Sequence, residues 1–163
     1  MRTFELLFKE GYNNFSIYLV GGHSKRLATT VKRLASKGMN VLLLNYLPKS
    51  KYEEILSDSD VALVPRYIMD QGAYWALEAM AHGSCVVASD LPAFTDFVVP
   101  GLNGLLVDPF SDNDMADKLK IILKDYGLLE KLKKGAYNWV LENHNLDVVG
   151  KKHLEVYKEL LER

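Results

Sequence analysis

The sequence predicts an α/β fold, a Rossmann-like, doubly wound parallel sheet followed by C-terminal helices. Two observations predict it. Short apolar runs recur along the first two thirds of the chain, at 15–20, 40–44, 61–64, 85–88 and 105–107. Apart from the first, which carries Ser16 and Tyr18, they are almost unbroken in apolar residues. Strands covered on both faces show that pattern, because side chains pointing either way are buried. Between the runs lie stretches with helical spacing, and strand, crossover and strand in alternation imply parallel strands with right-handed connections.

Each element follows from its own residues. Residues 3–9 carry Phe4, Leu6, Leu7 and Phe8 and read as a helix leading straight into the first strand. A doubly wound sheet usually opens on a strand, so the start reads as truncated. After Gly21-Gly22, Ser24 is placed to cap a helix reaching about Lys37, with Leu27, Val31 and Leu34 on one face and Gly38 closing it. Residues 50–56 make a shorter helix carrying Tyr52 and Ile55, and a third helix runs from Gly72 or Ala73 to His82, ended by Gly83. The last third reads as three helices, at 113–124, 128–142 and 147–161. Leu119, Ile122 and Leu123 mark the inner face of the first, and Leu154, Tyr157 and Leu161 that of the last. With no linker, low-complexity segment or internal repeat, residues 1–163 read as one domain.

Composition bounds the partners. A formal net charge of -1 gives no reason to expect a nucleic-acid backbone. No apolar stretch approaches the roughly 20 residues of a membrane span, and Met1 to Glu5 lack the apolar core of a secretion signal. The single cysteine, Cys85, sits in an apolar run, so the expected setting is the cytoplasm. His82 and His144 have no cysteine or second histidine at ligand spacing, and no metal site is expected.

Ligands of an open parallel sheet bind beyond the carboxyl ends of its strands. The first loop there, Gly21-Gly22-His23-Ser24, is either a tight turn or a backbone cradle for an anion. The second, Asn45-Tyr46-Leu47-Pro48, is a plain loop or a place for a nucleobase beside Tyr46 or Leu47. The third spans 64–83 and is the richest. Asp70 and Glu78 are spaced so that a loop carboxylate and a helix carboxylate could each accept hydrogen bonds from sugar hydroxyls. The helix start between them, near Gly72 and Ala73, suits a diphosphate. The structural alternatives are that Asp70 caps the helix and that Glu78 is a solvated or paired helix residue. Asp96, in the fourth loop, is either a ligand contact or a capping or surface residue.

The stretch from Leu77 to Asp90, Leu-Glu-Ala-Met-Ala-His-Gly-Ser-Cys-Val-Val-Ala-Ser-Asp, resembles the signature of the group-one, retaining, nucleotide-sugar-dependent glycosyltransferases of the GT-B fold. Leu19-Val20-Gly21-Gly22, the segment from Ser59 to Pro65, and the segment from Gly101 to Val107 resemble further motifs of that family in the same order. The resemblance covers about residues 4–161 and implies the C-terminal, donor-binding half of such an enzyme. It assigns Glu78 to the nucleotide ribose, Asp70 to hydroxyls of the transferred sugar, and backbone amides around Gly72, Ala73 and Tyr74 to the phosphates. The sequence departs from the family pattern at several places. Asp70 is one methylene shorter than the family's glutamate, Ser84 replaces a proline, and the family's diphosphate-binding Arg and Lys have no equivalent, leaving Arg66 or Lys25 as substitutes.

The expected function is therefore transfer of a hexose from a nucleoside diphosphate sugar to an acceptor hydroxyl with retention. Asp70 and Glu78 are the catalytic candidates, and Gly21, Gly22, Tyr46, Arg66, Gly72, Ala73 and Tyr74 are the binding candidates. No cofactor beyond the donor is expected. An acceptor-binding N-terminal domain, absent from these residues, would be the partner, so the chain alone should transfer little sugar. The alternatives are a non-catalytic nucleotide-binding module and an interaction domain that keeps only the fold.

Overall fold

The computed structural model describes residues 1–66 and 73–162. Its elements run α1 (Arg2–Lys9), β1 (Ile17–Val20), α2 (Lys25–Ala35), β2 (Val41–Leu44), α3 (Lys49–Asp58), β3 (Val61–Val64), α4 (Ala73–Ala81), β4 (Cys85–Ser89), α5 (Pro92–Thr95), β5 (Gly104–Val107), α6 (Asp112–Lys124), α7 (Tyr126–Asn143) and α8 (Leu146–Leu161). Every apolar run singled out in the sequence becomes a strand, and all pairings between these strands are parallel.

The helix boundaries follow from local chemistry. Ser24 accepts a hydrogen bond from the Leu27 amide and starts α2. Ser111, Asp125 and Asn145 do the same for α6, α7 and α8 through the amides of Asp114, Leu128 and Val148.

The strands form two sheets rather than one. β1 pairs with β2, while β3, β4 and β5 form a second sheet with β4 in its centre. The continuous sheet expected from the sequence is therefore interrupted between β1 and β3. β4 is the keel of the larger sheet, with all five residues buried. Val86 and Ala88 point into one core with Ala76, Met80, Phe94 and Ala136. Cys85 and Val87 point into the other with Leu7, Leu119, Ile122 and Leu132. Each Val, Leu, Ile, Phe or Met side chain among them contributes roughly 1.5–3 kcal/mol when fully buried. Around β1 and β2 a smaller core gathers Ile17, Val31, Leu34, Met39 and Val41.

α1 bridges the two sheets on one face. Leu7 belongs to the core of the larger sheet, while Phe4 and Phe8 pack on the smaller one. Glu5 pairs with Arg33 of α2. Toward α6, Thr3 donates to Asp112 at 2.9 Å and Lys120 pairs with Glu10 at 2.9 Å.

Two tight features complete the larger sheet. Asn103 is fully buried and spans its own loop, accepting from the Val99 amide at 2.7 Å and donating to the Phe97 carbonyl at 2.8 Å. Gly135 lets α7 press on that loop, because a Cβ there would stand 2.0 Å from the Leu102 carbonyl oxygen.

Two expectations about inner faces fail. Leu123 is partly exposed at the edge of α6, whose core contacts come from Ala116, Leu119 and Ile122. Leu154, Tyr157 and Leu161 are exposed, and α8 buries no residue. Its periodicity is amphipathic, but among the described residues nothing covers that stripe.

Candidate functional site

The rim at the carboxyl ends of the strands is built from three groups of side chains. The first lies at the tips of β1 and β2. Gly21 has φ +116 and turns the chain out of β1, its amide bonded to the Leu44 carbonyl at 3.0 Å. Tyr46 lies across Gly22, its hydroxyl 3.1 Å and its Cε2 3.3 Å from where a Cβ would stand. The absence of a side chain at Gly22 thus lets the ring settle on the backbone, and Tyr46 remains 85% exposed on its outer side. Gly21, Gly22 and Tyr46, chosen separately from the sequence, come together.

The second group lies at the tips of β3 and β4. The Ser89 hydroxyl accepts from the Arg66 amide at 2.8 Å and donates to the Arg66 carbonyl at 2.7 Å. The Arg66 guanidinium lies 4.9 Å from the centroid of the Trp75 ring on α4, a cation–π geometry. Neither Ser89 nor Trp75 was a candidate from the sequence. Ser89 carried the better signal, a hydroxyl closing a wholly apolar strand, because a buried polar group requires a partner.

The third group sits between α3 and α4. Burial first, then the neighbouring Glu78 through its charge and hydrogen bonding, push the Tyr52 hydroxyl up to about 12. Tyr74, one turn before Glu78, adds a smaller contribution in the same direction. Glu78 is half-buried on the second turn of α4, close enough for its charge to act on the Tyr52 hydroxyl. Tyr52 was read from the sequence only as a helix-face residue. Ala73 packs against the core while Tyr74 is 67% exposed. Asp70 and Gly72 lie outside the described residues. Lys25 opens α2 and Asp96 is exposed after α5.

Cys85 is wholly buried, and burial pushes its thiol up to about 12, the state of a packing residue rather than a nucleophile. Among the described residues no cluster of His, Cys, Asp and Glu could hold a metal ion, and no helix is long and apolar enough to cross a membrane.

Residues 2–139 match the model of the family described as glycosyl transferases group 1. The chain belongs to that family. A glycosyltransferase of Methanocaldococcus jannaschii, itself uncharacterized, is 28% identical over 122 residues, which are 75% of this chain and 31% of that protein. Among solved structures, TarM of S. aureus, in a complex containing UDP, superimposes with a TM-score of 0.81 at 23% identity, covering 96% of this chain and 31% of TarM. HepE of Anabaena, in complex with UDP and glucose, superimposes with a TM-score of 0.76 at 18% identity, covering 88% of this chain and 40% of HepE. The GT-B, Rossmann-like architecture inferred from the sequence is thereby established. The chain spans about a third of the length of the curated glycosyltransferases it matches.

Proposed function

We propose that this chain is the donor-binding unit of a glycosyltransferase that moves a hexose from a nucleoside diphosphate sugar to an acceptor hydroxyl with retention. The observation that carries this reading is the seating of Tyr46 on Gly21-Gly22, at the tips of two parallel strands. It combines an exposed aromatic face for a base with a glycine backbone that a phosphate can approach. TarM and HepE, which share the fold, are each known in complex with UDP, and a uridine diphosphate donor is the first to test.

In this reading Glu78 accepts hydrogen bonds from the ribose. Asp70 accepts from hydroxyls of the transferred sugar, with the amides from Gly72 to Tyr74 near the phosphates. Arg66, its backbone clamped by Ser89, places positive charge at the rim where the leaving diphosphate develops charge. Catalysis then rests on positioning and on electrostatic stabilisation of the leaving group, with no cofactor beyond the donor. The acceptor comes from a separate domain, and the site works in the cytoplasm.

Calorimetric titration with UDP, UDP-glucose, GDP and GDP-mannose tests the proposal. Binding of one sugar nucleotide, weakened about tenfold or more by Glu78→Gln, is the expected result, since hydrogen bonds to a charged group contribute ~1.5–3 kcal/mol. No heat with any of the four, from a chain whose circular dichroism shows it folded, would refute it. A turnover assay on the same protein should show little or no transfer.

A further inference from the structure

Charge is unevenly spread along this chain. Residues 1–40 hold seven Lys and Arg against two Glu, although the whole chain has a formal net charge of -1. α2 carries four of those cations, Lys25, Arg26, Lys32 and Arg33, and no acid. At about 100° per residue they fall within about 120° of the helix circumference, opposite Leu27, Val31 and Leu34, which pack into the core. All four are exposed. Among the described residues Lys25, Arg26, Lys32 and the nearby Lys37 form no ion pair, and Arg33 pairs with Glu5. Cations on other helices are matched: Lys49, Lys51, Lys120 and Lys133 each lie within 3.5 Å of an acid on the same helix. Helix stability does not account for the stripe, because Lys25 and Arg26 occupy the first turn, where the helix dipole disfavours cations.

Arg33 joins the stripe to a hollow of about 360 Å³ between α1 and α2. Phe8, Leu34 and Met39 give the hollow an apolar lining, and Lys9, Arg33 and Lys37 stand around it. A cationic rim over apolar carbon suits an anionic headgroup together with its glycerol and acyl carbons. We propose that the outer face of α2, with this hollow, docks on the surface of an anionic phospholipid bilayer. A polynucleotide fits less well. α2 has no aromatic ring on which a base could stack. The hydroxyls of Thr29, Thr30 and Ser36 donate back to the helix carbonyls of Lys25, Arg26 and Arg33. The face therefore offers unneutralised point charges without a directed hydrogen-bonding pattern, which a fluid anionic surface can match. Each Lys or Arg held at such a surface strengthens partition about fivefold. No helix inserts, because the apolar side of α2 is already part of the core.

Co-sedimentation with phospholipid vesicles tests this. The chain should partition onto vesicles of phosphatidylcholine and phosphatidylglycerol in equal parts, and not onto phosphatidylcholine alone. Raising the salt from about 0.1 M to about 1 M should release it, as the Debye length falls from about 10 Å to about 3 Å. Arg26→Gln, Lys32→Gln and Lys37→Gln together should weaken partition by about tenfold or more. Lys131→Gln, Lys134→Gln and Lys151→Gln remove the same charge from exposed positions of α7 and α8, and should alter partition by no more than about twofold. Circular dichroism checks that both variants fold like the native chain. The proposal is overturned if the native chain ignores the anionic vesicles, binds phosphatidylcholine equally, or stays bound at high salt. It is also overturned if the two triple variants lose partition alike. Release of the native chain from the vesicles by a short DNA duplex at equal total charge would make a nucleic acid the partner and equally overturn it.

Discussion

The hydroxyl of Ser89 holds the backbone of Arg66 from both sides, accepting from its amide at 2.8 Å and donating to its carbonyl at 2.7 Å. One side chain at the end of β4 thus fixes how the chain leaves β3, and with it the start of the stretch of sequence that leads to the candidate acids Asp70 and Glu78. Ser89→Ala removes both bonds and leaves two main-chain groups of a part-buried segment without that partner. A loss of about 1–3 kcal/mol in urea-unfolding free energy is expected. Nucleotide affinity, measured by calorimetry under conditions where the variant is folded, should fall as well. Unchanged stability would show that water replaces the hydroxyl.

Gly22 and Tyr46 form a pair that mutation can separate. An alanine Cβ at position 22 would stand 3.1 Å from the Tyr46 hydroxyl, and the exposed ring can swing away. Gly22→Ala should therefore change stability by no more than about 0.5 kcal/mol, as at other surface sites. It should still weaken nucleotide binding. In a double-mutant cycle with Tyr46→Ala the two effects on affinity should be non-additive, because either change removes the same arrangement. Additive effects would show that the pair does not act together.

Tyr52 gives a pH signature. Its hydroxyl titrates near 12 in the folded protein against an ordinary value of 10.0, chiefly through burial and then through Glu78. The folded state holds this proton more tightly than the unfolded state. The resulting stability is complete below pH 10 and is lost as pH rises toward 12. Melting temperatures recorded across that window should fall more steeply for the native chain than for Tyr52→Phe, which has no proton to lose there. Parallel curves for the two proteins would rule the coupling out.

Gly135 is the most constrained glycine of the helical region. The Cβ of Gly135→Ala would meet the Leu102 carbonyl oxygen at 2.0 Å, which forces α7 off the loop that Asn103 organises. Overpacking of this kind costs about 1–3 kcal/mol, more than the helix-propensity gain of up to about 1 kcal/mol from replacing glycine. Thermal unfolding should show a lower midpoint. A raised midpoint would mean that the loop yields freely.

Much of the fold was legible because it is local. Val61–Val64 and Cys85–Ser89 are apolar runs short enough for strands and bounded by turn residues. Ser24, Gly38 and Gly83 marked helix ends that the structure keeps, with Ser24 capping α2 and the two glycines at φ +90 and +82. The inner face of α8 was misread for the opposite reason. Leu154, Tyr157 and Leu161 have the periodicity of a packed helix, but periodicity records which residues share a face and not whether anything lies against it.

Taken by itself, the sequence determined the parallel α/β class, the order of the elements and the positions of Gly21, Gly22, Tyr46, Arg66 and Glu78 at strand tips or on α4. These follow from spacing and from turn chemistry, which act over a few residues. Only the tertiary structure decided that Tyr46 rests on Gly22, that Ser89 clamps Arg66, that Tyr52 answers Glu78, and that β1 and β3 stand apart around an open cleft. Those relationships join residues 23 or more positions apart, as Ser89 and Arg66 are, and depend on how whole elements pack, which no local pattern encodes.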